Sequence, residues 1–368
     1  NVSVSLDGPP VIEASFTFQF PDEAPTLSIS GRRVVVFGLK PNWADGWLER
    51  LMWATDVLAA RDGTKQRVSL RAKPRRSLEF SILVGRDDAA LLDVLLSAWQ
   101  SRVYALPIWP DKAFLSAAIT AGSTVIPLTT TNLEYEADGL LVIGSDSRNT
   151  EAAEVLSVAS NAVTLKQPLL SNWPAGSFVV PARTARLRVS QKISMVTDAI
   201  ATARLVFDIA GTTAITKQES ATTFNSMAVW TTRPNRVRDV EADYRRLAEV
   251  LDFDTGITAV DDHAARPFVR RAFDYIFKNR NEIAAFRGWL AARAGRLTAF
   301  WHPTWEASIV PVKKILSNQT VMTVASRGYA LYFNPMPGRT EAAFLHKNGI
   351  WYFRTISSFG AGTIGDEE

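Results

Sequence analysis

The chain has 368 residues and no cysteine. This absence excludes a disulfide scaffold, a thiolate zinc site and a cysteine nucleophile. An excess of one charge is also lacking, because 41 Lys and Arg residues are balanced by 37 Asp and Glu residues. The net charge of +4 does not by itself indicate a nucleic-acid surface.

Long apolar runs are missing as well. The longest uncharged stretch, residues 113–133, contains Gly122, Pro127 and many Ser and Thr residues. It predicts strands and turns rather than a membrane span. No secretory signal leads the sequence, and we expect a soluble protein without membrane insertion.

Motifs that carry catalysis are absent from the sequence. It has no Gly-rich phosphate loop and no nucleophile elbow, and its spacing singles out no carboxylate pair of the kind a cell-wall hydrolase needs. His263 stands beside Asp261 and Asp262, as a metal ligand or general base would. No second histidine lies at ligand spacing, so we interpret this stretch as a solvated loop. We therefore expect no enzyme, no metal and no cofactor.

What the sequence does contain is a repeat. In "GRDDAALLDVLLSAWQSRVYALPIW" the apolar residues recur at helical spacing, which predicts an amphipathic helix over 87–102 capped by Asp87. "NRNEIAAFRGWLAARAGRLTAFWHPTW" predicts a second helix over 281–294 capped by Asn281, offset by 194 residues (281 − 87). An aromatic strand ending in Pro-x-Trp follows each helix.

Other landmarks recur in the same order. Pro41-Asn42 recurs as Pro234-Asn235 at an offset of 193 residues, and "RRSLEF" recurs as "RRAFDY" at an offset of 195. Thr-Glu-Ala-Ala begins at Thr150 and again at Thr340, an offset of 190 (340 − 150). A turn follows each tetrapeptide, at Ser160-Asn161 and at Asn348-Gly349, and predicts a hairpin. We interpret the chain as a tandem duplication of one module of about 190 residues.

The fold class that we predict is mainly β (α+β). Each copy is expected to contain strands and one helix, followed by a small all-β unit. The predicted segments are 1–111, a first β region with helix 87–102; 112–184, a small β unit; 185–211, closing strands and linker; 212–305, a second β region with helix 281–294; and 306–368, a second β unit.

Two charge clusters distinguish the copies. The first copy has a basic strip without any acid, formed by Lys65, Arg67, Arg71, Lys73, Arg75 and Arg76. It suits a phosphate backbone, a solvated strand face or a protein interface. The corresponding stretch of the second copy carries Asp252, Asp254, Asp261 and Asp262. If copies alternate around a ring, the basic edge of one faces the acidic edge of the other, which sets register.

Tryptophan is abundant, with 11 residues. Eight of them, spread over both copies, could stack on sugars, or they could belong to the core and to subunit interfaces. They are Trp47, Trp53, Trp99, Trp109, Trp173, Trp301, Trp305 and Trp351.

The two helix-plus-strand segments, mainly residues 75–110 and 270–305, resemble tail-tip proteins of tailed phages. The similarity is to the distal tail and baseplate hub proteins of long non-contractile tails and of gene transfer agents. It implies that 1–111 and 212–305 are tail-tube-like β-sandwiches or split barrels with one helix each. It also implies a structural virion protein, made in the host cytoplasm, that forms a ring around the tail channel. It also implies contacts with the tail tube, the tape measure and other tip proteins, DNA only in transit, and no cofactor.

The duplication then suits a trimer with six near-equivalent modules, or a hexamer of two-module chains. The runner-up hypothesis is a carbohydrate- or receptor-binding tail protein that uses the Trp-rich β units.

Overall fold

The structure is a computed structural model that describes residues 11–211, 215–264, 266–316, 318–332, 339–360 and 366–367. Within these residues the chain is mainly β, with antiparallel sheets and few helices, as the alternation of apolar residues predicts. Parts of the predicted segments, such as 1–10, 212–214 and 361–365, lie outside the described residues. No helix in the described ranges is both long and apolar enough to cross a membrane.

In chain order the strands are β1 (Val11–Thr17), β2 (Thr26–Arg32), β3 (Val35–Val36), β4 (Trp47–Met52), β5 (Thr55–Ala59), β6 (Lys65–Ser69), β7 (Arg75–Val84), β8 (Tyr104–Pro107), β9 (Ala113–Phe114), β10 (Val125–Pro127), β11 (Leu140–Gly144), β12 (Thr150–Ala159), β13 (Ala162–Leu165), β14 (Phe178–Leu187), β15 (Ile193–Met195), β16 (Ala201–Ile209), β17 (Thr223–Phe224), β18 (Met227–Ala228), β19 (Ala242–Arg245), β20 (Ala248–Asp252), β21 (Thr258–Asp262), β22 (Phe268–Arg271), β23 (Val324–Ala325), β24 (Glu341–Leu345), β25 (Trp351–Thr355) and β26 (Asp366–Glu367). The helices are α1 (Arg86–Trp99), α2 (Arg280–Arg293) and α3 (Tyr329–Tyr332), and Trp109–Asp111 forms a 3₁₀ turn.

The chain divides into two compact units. Unit 1 comprises Asn1–Ala54 and Arg71–Ile215, and unit 2 comprises Thr55–Leu70 and Thr216–Glu368. The β5–β6 hairpin therefore comes from the first half of the sequence but belongs to unit 2.

Unit 1 is organised around one large sheet. Twelve of its described strands join in it, along the path β10-β13-β12-β11-β14-β16-β7-β4, with β15 beside β16, β8 and β9 beside β14, and β3 beside β8. The 10-residue strand β14 pairs with β11 through its first half and with β16 through Ala185–Leu187. It thus continues across residue 184, where the sequence predicts a boundary.

The helix-bearing core of unit 1 is aromatic. Phe80 of β7 stacks on Trp47 of β4 at 4.8 Å and on Phe207 of β16 at 5.7 Å, measured between ring centroids. Leu92 and Leu95 of α1 are buried against this core, as the helical spacing of the leucines predicts.

The predicted helix limits and caps need correction. Helix α1 ends at Trp99 rather than at residue 102, and its N-cap is Gly85, so Asp87 lies inside the first turn. The N-cap of α2 is Asn279, whose side chain accepts a hydrogen bond from the Glu282 amide at 3.0 Å, and Asn281 is not the cap. The apolar residues keep the same helical spacing if the start of the helix is moved by one or two residues, so this spacing does not determine where the first turn begins.

A second core lies under the small β region of unit 1 and includes Leu141, Val155, Val163 and Trp173. The hairpin predicted at Ser160-Asn161 is confirmed, because Ala159 and Ala162 are paired across it. In unit 2 the hairpin predicted at Asn348-Gly349 is also confirmed, between β24 and β25.

Unit 2 also has an aromatic core beside its long helix. Trp289 of α2 is 6% exposed and lies 4.5 Å from Trp230, ring centroid to ring centroid. Its place in α2 matches that of Leu95 in α1, which is likewise 6% exposed, at the offset of 194 (289 − 95). The exchange of Leu for Trp keeps the position apolar and buried.

Both units contain the same arrangement of paired strands. Met52 of β4 pairs with Arg75 of β7, and Arg245 of β19 pairs with Phe268 of β22. Both partners are shifted by 193 residues (245 − 52 and 268 − 75). Between each pair the chain forms a hairpin, with Thr55 opposite Ser69 in one and Ala248 opposite Asp262 in the other, again shifted by 193 (248 − 55 and 262 − 69).

The backbone hydrogen bonds around these strands are repeated too. The Asn42 amide donates to the Ser81 carbonyl at 2.7 Å, and the Asn235 amide donates to the Asp274 carbonyl at 2.7 Å. Helices α1 and α2 both have 14 residues and begin 194 positions apart (280 − 86). The two halves of the sequence therefore share this strand register and nearly the same spacing to their long helices.

Candidate functional site

Two hairpins carry most of the predicted charge clusters. We call Thr55–Ser69, which contains β5 and β6, hairpin 1, and Ala248–Asp262, which contains β20 and β21, hairpin 2. The five-residue strands of each hairpin are almost wholly exposed to solvent. Both hairpins belong to unit 2.

The structure divides the predicted basic strip. Lys65 and Arg67 lie on β6 in unit 2, whereas the four remaining residues lie in unit 1, in the loop before β7 and at its start. Those four are Arg71, Lys73, Arg75 and Arg76. Exposed side chains are those of Lys65, Arg67, Lys73 and Arg75. The strip is thus two separate basic surfaces on two units.

Arg76 is not a surface residue, contrary to the sequence-based expectation. It is 3% exposed, and its guanidinium donates to both carboxylate oxygens of Glu134, at 2.5 and 3.0 Å, while its Nε lies 2.7 Å from Glu49. Burial disfavours the charge, but Glu134 and Glu49 outweigh it, and the pKa of Arg76 lies above its ordinary value. Strand alternation turns Arg76 inward and leaves its neighbour Arg75 outside.

The three other residues of the basic strip in unit 1 line a groove of about 830 Å³. Its walls include Arg71, Lys73 and Arg75 together with the end of β16 around Ile209. Arg188 also lines the groove and is paired with Asp208 at 3.1 Å. Arg71, Lys73 and Arg75 thus place three cationic side chains on the walls of the groove.

Hairpin 1 packs through its turn on Phe268 of unit 2. Gly63 is buried there, in the left-handed region with φ +82°, and a Cβ at this position would lie 2.1 Å from the Phe268 ring. Lys65 and Arg266 lie over the same ring at 5.5 and 5.6 Å. Arg61 pairs with Glu249 at 3.3 Å. A glycine is needed because both the backbone angle and the approach of the ring exclude a side chain.

Gly63→Ala is therefore expected to destabilise the packing of hairpin 1 by about 2–4 kcal/mol, from left-handed strain and the clash with Phe268. Gly256 is the matched control, because it has φ +87° and a Cβ added to it would meet nothing within 4 Å. Gly256→Ala should cost only the strain, about 1–2 kcal/mol. Hydrogen exchange of the β6 amides measures the difference, and equal effects of the two variants would contradict the Phe268 contact.

Hairpin 2 carries five acids and no Lys or Arg: Glu249, Asp252, Asp254, Asp261 and Asp262. Asp262 is half-buried and accepts a hydrogen bond from Arg246 at 2.5 Å, and Asp252 accepts one from the Asp254 amide at 3.0 Å. Apolar side chains are exposed beside the acids, with Phe253 70% and Ile257 81% accessible. The turn of hairpin 2 is thus both acidic and apolar.

His263 lies in a turn, as the sequence predicts, but its side chain is only 17% exposed. The ring lies 3.3 Å from Asp261 and 3.7 Å from Glu249. Asp261 precedes it by two positions, which places both side chains on one face. Among the described residues no group of three or more His, Cys, Asp or Glu side chains is arranged to hold a metal ion.

The tryptophans considered as sugar platforms are not exposed. All eight are half-buried or buried, and Trp109 and Trp173 are each 2% exposed. Trp305 and Trp351 of the C-terminal β region contact each other edge to face, with ring centroids 5.3 Å apart. A stacking platform needs an open ring face, so these residues act in packing.

Comparison with known proteins adds little to this geometry. No protein-family model and no curated protein matches the chain. One similar solved structure is described as the virion of a native gene transfer agent (GTA) particle: the identity is 11%, the match covers 49% of this chain and 98% of that chain, and the TM-score is 0.27. A TM-score this low does not establish a common fold.

Proposed function

We propose that the chain is a ring-forming structural protein of a phage-like virion, built from a tandem duplication of one module. The duplication is supported by the strand register that recurs at an offset of 193 and by the two 14-residue helices. Each module is a split barrel with one helix in this proposal, and each is followed by a small β region.

The observation that carries the proposal is the place of hairpin 1. It comes from the first module, yet it packs on Phe268, a residue of the second module. Such a contact is heterologous, since the hairpin of one module and the surface around Phe268 of the other are different surfaces. Heterologous contacts repeated by rotation give a ring when the rotation closes.

The finer placement is the tail tip, as a distal tail ring or baseplate hub. The sequence resemblance of residues 75–110 and 270–305 supports it. The ring would join the tail tube to the tip, surround the tape measure and the DNA in transit, and anchor peripheral tip proteins. Three chains would give six module positions, and six chains would give twelve.

The native mass of the purified chain tests this function. Light scattering over a range of concentrations should show a trimer or hexamer, and negative-stain images should show closed rings. Since some rings assemble only on a neighbour, the measurement is repeated with tail-tube protein. A chain that stays monomeric in both conditions would overturn the proposal and direct the work to polysaccharide binding by the full chain.

A further inference from the structure

We propose that hairpin 2 of one chain binds the basic groove of unit 1 in the next chain. This inference rests on the proposed function and names the surface that closes the ring. Its occupant is a second copy of this chain, and its contact residues are Asp252, Asp254 and the turn of hairpin 2 on one side and Lys73 and Arg75 on the other.

The contact of hairpin 1 in unit 2 serves as the template. There the turn glycine, Gly63, packs on Phe268, and Arg266 lies beside the same ring. Asp62, next to that glycine, has its pKa lowered by hydrogen bonds from Thr64, with a smaller contribution from Arg266. The hairpin turn therefore lies against positions 266 and 268.

The shared register transfers this contact to unit 1. Phe268 pairs with Arg245 as Arg75 pairs with Met52, so position 75 corresponds to position 268 and position 73 to position 266. In unit 1 these two positions, Lys73 and Arg75, line the open groove of about 830 Å³. Unit 1 thus has a groove at the place where unit 2 holds a hairpin.

The turn of hairpin 2 corresponds to the turn of hairpin 1 that packs on Phe268. Its strands repeat the register of hairpin 1, and Gly256 corresponds to Gly63 (256 − 63 = 193), with φ +87° against +82°. A Cβ at Gly256 would meet nothing within 4 Å, whereas one at Gly63 would meet Phe268. Phe253 and Ile257, on either side of that turn, are 70% and 81% exposed.

The charges fit an alternating ring. Hairpin 2 carries five acids without a base, and the groove of unit 1 presents Arg71, Lys73 and Arg75. Hairpin 1 has three bases, Arg61, Lys65 and Arg67, against two acids. Its Arg61 already pairs with an acid of hairpin 2, Glu249. The acids of hairpin 2 are thus opposite in charge to the groove of unit 1, and this favours contacts between unlike modules over contacts between equal ones.

Disulfide trapping tests the contact directly, because the chain has no cysteine of its own. Thr255 corresponds to Asp62 and Lys73 to Arg266, so we mix full-length T255C with full-length K73C under mild oxidation. We expect a covalent heterodimer that forms in proportion to assembly. The control pair is T255C with R86C, since Arg86 is an exposed residue of α1 in the same unit. Equal trapping of both pairs would overturn the inference.

Charge reversal provides the second measurement. D252K/D254K and K73E/R75E should each weaken self-association by at least about tenfold, and the four changes combined in one chain should restore most of it. Mass photometry over a dilution series measures the association, and circular dichroism shows that each variant is folded.

The outcomes separate the two proposals. A wild-type oligomer that both reversals leave unchanged, or that their combination does not restore, would overturn this contact while the ring remains. A wild-type chain that is monomeric with and without tail-tube protein would overturn both the ring and the contact.

Discussion

Arg76→Leu is expected to destabilise unit 1 by about 3–5 kcal/mol. The guanidinium is 3% exposed and neutralises Glu134, whose side chain is only 9% exposed, and Glu49 at 2.7 Å. Removing it takes the 2.7 Å cation from Glu49 and leaves the buried Glu134 carboxylate with the more distant Arg183, at 3.9 Å. The free-energy cost of that weakened pairing exceeds the gain from the added apolar side chain. Urea unfolding, monitored by hydrogen exchange of peptides from β7 and β14, measures the loss in the free energy of unfolding.

The control for Arg76 is Arg86→Leu in the same unit. Arg86 lies 3.9 Å from Asp198, and both side chains are exposed, so its loss should change stability by no more than about 0.5 kcal/mol. In the double variant R76L/E134L part of the stability should return, because Arg76 and Glu134 are then both absent while Arg183 keeps its ion pair with Glu136 at 3.3 Å. A loss below about 1 kcal/mol for Arg76→Leu would contradict the dependence of Glu134 on Arg76.

Phe80→Ala is the second large effect, with an expected loss of about 3–5 kcal/mol. Phe80 is 1% exposed and stacks on both Trp47 and Phe207, so its removal opens a cavity between three strands of the sheet. The same urea experiment applies to this variant. Leu83→Ala provides the comparison on the same strand.

Leu83 lies on the opposite face of β7 and is 57% exposed. Its truncation should cost less than about 0.5 kcal/mol, since it leaves no cavity. If the two variants lost similar stability, the stacking of Phe80 would not be the source of the core's stability.

The sequence alone predicted the elements that depend on local periodicity. The apolar spacing of Leu91 to Trp99 defines a helix, and the alternation before and after it defines strands. The turn dipeptides at Ser160 and Asn348 predict the hairpins found there. Periodicity does not locate ends, which explains the incorrect caps at Asp87 and Asn281.

The alignment of the two Arg-Arg pairs at an offset of 195 is also imprecise. The paired strands correspond at 193, so Phe268 rather than Arg270 occupies the place of Arg75. A sequence alignment shifted by two residues leaves every side chain on the same face of its strand. Only the hydrogen-bonded register of the paired strands therefore distinguishes an offset of 193 from one of 195. That distinction places an aromatic ring under hairpin 1.

The basic strip shows the limit of a pattern of charges. From Lys65 to Arg76 the letters form one run, but the chain passes from unit 2 into unit 1 within it. Burial then separates Arg76 from Arg75, because neighbouring residues on a strand face opposite sides. In unit 1 the exposed residues of the strip are Lys73 and Arg75, and Arg71 beside them is half-buried.

By itself the sequence determined that this protein is mainly β, where its long helices and turns lie, and that its two halves share landmarks near an offset of 193. Those properties depend on residues close together in the chain, and they appear in the sequence as a periodic pattern of apolar residues and turn residues. The tertiary structure alone decided that hairpin 1 packs in unit 2, that Arg76 is neutralised in a core, and that Lys73 and Arg75 line a groove. These depend on contacts between residues far apart in the chain, and the spacing of residues in the sequence does not predict such contacts.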